Sequence, residues 1–142
     1  MIPYVVDTSV VFKWYRQPGD EDYVPQAVSI LEHHLHGNGE IHVPDLLFYE
    51  LGNILRFKET LVSKDALTIL GETFALALQI HSIDLLLAED AFRFAREHDI
   101  TFYDASFVAL SHLLQASFIT ADKKLFAKVR TLPTAMFLGK LS

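Results

Sequence analysis

Ile2-Pro3-Tyr4-Val5-Val6-Asp7 is an apolar run that ends on a carboxylate, and its reading decides the fold. Aromatic and β-branched residues in a short run predict a buried strand over residues 4–7. A charge directly after a buried strand costs free energy unless it is paired or bound to a cation. The same arrangement recurs along the chain. Asp104 follows Ile100-Thr101-Phe102-Tyr103, and Asp122 follows Phe118-Ile119-Thr120-Ala121. Glu50 interrupts Leu46-Leu47-Phe48-Tyr49-Glu50-Leu51. Hard divalent cations such as Mg²⁺ take oxygen ligands, usually a few carboxylates with water. Four acids distant in sequence but gathered at one edge of a sheet would make such a site.

Outward from the first run, short apolar stretches alternate with longer amphipathic ones. That is the pattern of an α/β domain with a central, mainly parallel sheet. Further strands are expected over 41–43, 80–83, 118–120 and 135–138, the last at an edge. Helices are expected over 10–14, 24–36, 45–58, 63–79, 84–98, 104–114 and 122–129. Ser63 and Asp84 have the chemistry of helix N-caps, and Gly37-Asn38-Gly39 that of a left-handed helix stop. No linker, repeat or low-complexity tract divides residues 1–142, so one domain is expected. In open α/β sheets, ligands bind beyond the carboxyl ends of the strands. Asp7, Asp104 and Asp122 fall at or just after such ends.

The 142 residues are 51% apolar, enough for a substantial core. The absence of cysteine excludes disulfides and thiolate zinc sites. No basic start, signal-length segment or membrane-length apolar stretch is present, so a soluble cytoplasmic protein is expected. A net charge of −6 counts against nucleic-acid binding, because phosphate contacts favour a basic surface. Bases nevertheless follow the acids in sequence: Lys13 and Arg16, Arg56 and Lys58, then Lys123, Lys124, Lys128 and Arg130. A basic rim around an acidic site would reconcile the two.

Each carboxylate also has an ordinary explanation. Asp104 or Asp122 alone reads first as a helix cap. Glu50 shares a helix side with Asn53 and could face solvent, while Leu46, Leu47, Leu51, Ile54 and Leu55 form a core-facing stripe. Their conjunction is harder to dismiss, and it points to metal-assisted phosphodiester hydrolysis. His33, His34 and His36 lack a completing ligand set, so a solvated helix face is the simpler reading. Phe48, Phe57, Phe74, Phe92, Phe94, Phe102, Phe107, Phe118 and Phe126 are expected mostly in the core. Trp14 and Tyr15 are expected to pack rather than stack on bases. Gly52 and Gly71 inside helices are unfavourable by about 1 kcal/mol against alanine, which close helix contact, within the chain or at a subunit interface, would explain.

Four segments carry a family resemblance. Val5-Val6-Asp7-Thr8-Ser9-Val10-Val11-Phe12-Lys13-Trp14 resembles the opening motif of PIN-domain proteins. Pro44 to Leu55, Tyr103 to Leu110 and Phe118 to Leu125 resemble their second, third and fourth motifs, in the family's order. The likeness is greatest to VapC-type toxin ribonucleases of toxin–antitoxin pairs. It implies a three-layer α/β/α fold and a Mg²⁺- or Mn²⁺-dependent endoribonuclease acting on RNA. It implies Asp7, Glu50, Asp104 and Asp122 as catalytic metal-site carboxylates, with Ser9 and Thr120 as supporting polar groups. It also implies a homodimer or higher homo-oligomer and an antitoxin protein as partner. A PIN ribonuclease of RNA maturation and a catalytically silent PIN-fold binding module are the alternatives. A dehalogenase-type phosphatase would want a second Asp where Ser9 stands. One departure is the loop with Asp20, Glu21 and Asp22, expected near the site entrance to repel RNA and favour a basic antitoxin segment.

Overall fold

The computed structural model describes residues 2–58 and 63–141. In chain order the elements are β1 (Ile2–Val6), α1 (Thr8–Lys13), α2 (Val24–Leu35), β2 (Gly39–Pro44), α3 (Leu46–Phe57) and α4 (Ser63–Ala75). Then follow β3 (Gln79–His81), α5 (Leu85–His98), α6 (Phe102–Leu114), β4 (Ser117–Thr120), α7 (Lys123–Val129) and β5 (Ala135–Phe137). The cap expected from the Ser63 side chain lies outside the described residues. No helix among the described residues is long and apolar enough to cross a membrane.

The strands form one sheet in the order β3-β2-β1-β4-β5, with every pairing parallel. Parallel sheets are covered on both faces, so their inner strands are apolar throughout rather than alternating. The consecutive Val5 and Val6 of β1 are both fully buried, as are Ile41 and Val43 of β2. Helix α6 packs across β1, β2 and β4 and carries α5 on its outer side, while α2 lies against β2. The result is the α/β/α architecture expected from the sequence.

Chain order reverses between β1 and its two neighbours, β2 on one side and β4 on the other. That reversal opens a crevice at the carboxyl ends of β1 and β4, the usual ligand position in such sheets.

Local chemistry fixes how the chain enters β2, at the edge of the sheet opposite this crevice. Helix α2 stops where Gly37 takes φ +76°, with Asn38 N–H on His33 O at 2.8 Å and Gly37 N–H on His34 O at 3.2 Å. These two bonds form the left-handed stop expected there and turn the chain into β2. His34 accepts the Ile41 N–H at Nδ1 and faces Leu76 O from Nε2, so it ties helix to sheet while His33 and His36 stay exposed.

Three expectations need correction. Helix α6 starts at Phe102, not Asp104, because the Thr101 hydroxyl caps it by accepting the Asp104 N–H at 3.0 Å. Of the nine phenylalanines expected mostly inside, Phe57, Phe74, Phe92 and Phe102 are exposed, and only Phe107 and Phe118 are fully buried. A Cβ built at Gly52 or Gly71 meets no atom within 4 Å, so close contact within the described chain does not explain either glycine. Trp14 and Tyr15 do pack: Trp14 Nε1 donates to Ala27 O and Tyr15 Oη pairs with Thr73 Oγ1.

Candidate functional site

Asp7 leaves the end of β1 in an extended conformation and serves as N-cap of α1, accepting the Val10 N–H at 3.4 Å. Its Oδ1 also accepts from Ser9 Oγ, and its Oδ2 from Thr120 Oγ1, each at 2.5 Å. Both hydroxyls have a second task. Ser9 Oγ accepts the Ala121 N–H and Thr120 Oγ1 accepts the Asp122 N–H, each at 3.0 Å. The two residues therefore fasten the ends of β1 and β4 together around one carboxylate. Asp7 is only 6% exposed. Burial pushes its pKa up to about 7, and the Asp104 charge pushes the same way against the Ser9, Thr120 and Val10 bonds.

Glu50 stands on α3, where Thr8 Oγ1 donates to its Oε1 at 2.7 Å. Burial raises its pKa and the Asp104 charge adds to the rise, while the Thr8 bond opposes it. Asp104 occupies the first turn of α6, which leaves its carboxylate uncommitted to capping. Burial and the Asp122 charge hold its pKa above the ordinary value, with the Thr101 hydroxyl opposing. Asp122 caps α7, accepting the Leu125 N–H at Oδ1 over 3.0 Å. Capping and site placement coexist in Asp7 and Asp122, because the cap aims the carboxylate.

All four acids line one cavity of about 270 Å³, together with Thr8, Ser9, Asn53 and Ile54. Thr120 stands behind Asp7 rather than in the lining. Thr8 was not singled out from the sequence, although its place between Asp7 and Ser9 at a helix start was the available signal. Ile54 packs against the core, as expected of the stripe, and also forms part of the cavity wall.

Among the described residues, no three acidic or histidine side chains converge within one coordination shell. An all-protein metal cage is therefore absent. Mg²⁺ keeps several waters and binds one or two carboxylates directly. An all-oxygen set in which burial, with a neighbouring carboxylate adding to it, raises the pKa of Asp7, Glu50 and Asp104, around a cavity with room for water, fits an ion of that kind.

The basic rim and the acidic entrance take a different form from the one expected. Lys13 is buried and its Nζ pairs with Glu21 Oε1 at 2.8 Å. Arg16 lies 3.9 Å from Asp20 and 3.5 Å from Glu21. The loop acids are thus engaged by the bases of the first motif rather than projecting at a ligand. Asp22 alone of the three has no ion pair among the described residues.

Fold and site together define a parallel α/β protein with an acidic pocket at its topological switch point. The PIN domain family profile matches residues 4–132. A curated relative, Ribonuclease VapC3 of Pyrobaculum aerophilum, is 33% identical over 135 residues, spanning 92% of this chain and 97% of that one. The chain belongs to the PIN domain family. Among solved structures, PAE2754 of Pyrobaculum aerophilum matches with TM-score 0.69 at 21% identity, covering 96% of this chain and 84% of that one. A toxin–antitoxin complex from Klebsiella pneumoniae matches with TM-score 0.67 at 16% identity, covering 95% and 97%. These two likenesses concern the fold.

Proposed function

We propose that the chain is a Mg²⁺- or Mn²⁺-dependent endoribonuclease and the toxin of a toxin–antitoxin pair. The observation that carries this reading is the convergence of Asp7, Glu50, Asp104 and Asp122, from four separate segments, on one cavity at the switch point. The ribonuclease named among its relatives, alike over nearly its whole length, supports RNA as substrate. The four carboxylates would hold the metal, which when bound would polarise a phosphoryl oxygen and make a water acidic enough to attack phosphorus. The chain's own contribution is orientation. Ser9, Thr120 and the Val10 N–H hold both oxygens of Asp7 in one direction, and Thr8 does the same for one oxygen of Glu50. Such supporting bonds tune ligand geometry.

A partner is part of the same proposal. Tyr49, Ile83, Leu85, Leu86 and Tyr103 are large apolar side chains more than half exposed. Tyr49, Ile83 and Tyr103 line an apolar cavity of about 180 Å³ beside the site. Apolar surface of this extent supports cover by an antitoxin and by a second copy of the chain.

The test is cleavage of RNA by purified, partner-free protein with Mg²⁺ or Mn²⁺, beside EDTA and Asp7→Ala. Metal-dependent cleavage lost in the variant is expected. A variant as active as the parent would remove Asp7 from the assignment. Metal binding without cleavage of any RNA would favour the silent binding module.

A further inference from the structure

A second cavity, of about 160 Å³, adjoins the first. Asp104 and Asp122 belong to the walls of both. Its other walls are Asp99, Ile100 and Thr101, between α5 and α6, and Lys124, Leu125 and Lys128 on α7. It is far larger than the roughly 10–15 Å³ that one water takes. The two cavities are thus neighbours across the Asp104 and Asp122 side chains.

The chain's cations are mostly committed elsewhere. Lys13 and Arg16 face Glu21 and Asp20. Arg56 lies over the Phe57 ring and Lys58 over the Phe12 ring. Lys128 Nζ donates to Asp99 O at 2.7 Å and stands 3.5 Å from that residue's carboxylate. Lys124 differs: it is exposed, lines the second cavity and has no ion pair among the described residues. Its position is fixed, because it follows Asp122 by two residues on a helix that the Asp122 side chain caps.

We infer that this cavity is a second phosphate subsite, in which Lys124 binds the phosphate next to the scissile one on the same RNA strand. The inference rests on the ribonuclease reading and deepens it. A chain of net charge −6 with four acids at its centre repels an RNA backbone. A cation at the neighbouring phosphate offsets that repulsion where the metal does not reach. Lys124 acts on binding and register, not on the bond that breaks. The simpler alternative is a solvated lysine with no ligand.

The two are separated by Lys124→Ala and Lys124→Arg. Binding of a short fluorescent single-stranded RNA is measured by anisotropy across a range of KCl, in the chain with Asp7 intact and Ca²⁺ in place of Mg²⁺, with the RNA checked as uncut on a gel afterwards. Losing one phosphate contact should weaken binding and flatten the slope of log K against log salt by about 0.7, with arginine restoring both. In the otherwise native chain, KM for RNA should rise with kcat unchanged, and the effect should vanish on a dinucleotide that carries a single phosphate. Unchanged affinity and slope in Lys124→Ala would overturn the subsite and leave the ribonuclease reading standing. Failure of the parent chain either to bind or to cleave RNA would overturn both.

Discussion

Two acidic clusters in this molecule behave in opposite ways. The loop acids Asp20 and Glu21 face Lys13 and Arg16, so their charges are compensated within the chain. The cavity acids Asp7, Glu50 and Asp104 face one another and Asp122, and each has a raised pKa. Compensated acids hold structure in place. Acids left to repel one another store free energy that a bound cation releases, which is why perturbed groups concentrate at functional sites. The difference therefore separates a structural cluster from a candidate metal centre by physics rather than by composition.

The contrast is broken most strongly from the cavity side. Asp104→Asn or Glu50→Gln should lower RNA cleavage roughly a thousandfold or more, since several kcal/mol of charge stabilisation go with a metal ligand. Single-turnover rates with circular dichroism as a folding control would measure this. Thr8→Val leaves every carboxylate in place and removes only the Thr8 bond to Glu50. Its cost should be about 10–100-fold, the usual range for groups that orient a ligand.

Stability should respond in the opposite direction from activity. Folded Asp7 keeps its proton up to about pH 7, whereas an ordinary Asp releases it near 3.8. Between those values the unfolded state binds fewer protons, so stability falls as pH rises. Metal-free protein should lose up to about 4 kcal/mol across that window. Asp7→Asn should lose less, since only Glu50 and Asp104 then keep raised pKa values, and should melt higher than the parent at neutral pH. A parent whose melting temperature is flat across the window would contradict the buried, uncompensated carboxylate.

The smallest effect on cleavage belongs to the loop. Glu21→Gln leaves the buried Lys13 ammonium without its charged partner and should cost roughly 3 kcal/mol of stability. Cleavage should stay within about twofold, because a charge beyond the cavity is screened. A large loss of cleavage in Glu21→Gln would show that the loop belongs to the site.

Legibility of these features followed how local their causes are. Strands β1 and β4 were readable because an inner parallel strand must be apolar on both faces, and each ends at a polar residue. The four acids were readable as exceptions to that rule. The start of α6 was not, because Thr101 and Asp104 are both good caps and only the hydroxyl's position on the Asp104 N–H decides between them. The pairing of Glu21 with Lys13 depended on how the loop turns, and Gly19 at φ +98° has no counterpart in hydrophobic patterning. Exposed Phe57, Phe74 and Phe92 misled for a related reason: helical spacing marks a face without saying whether this chain or another covers it. Thr8 escaped notice because its partner lies on another helix.

On the proposed reading, Asp7 anchors a cation site formed with Glu50, Asp104 and Asp122. Calorimetric titration of Mn²⁺ into the metal-free chain and into Asp7→Asn, at neutral pH in two buffers of different ionisation enthalpy, tests it directly. Saturable binding in the parent, with buffer-dependent heat as Asp7 gives up its proton, and its loss in the variant are the predicted result. Equal binding by both proteins, or none by the parent, would contradict the claim.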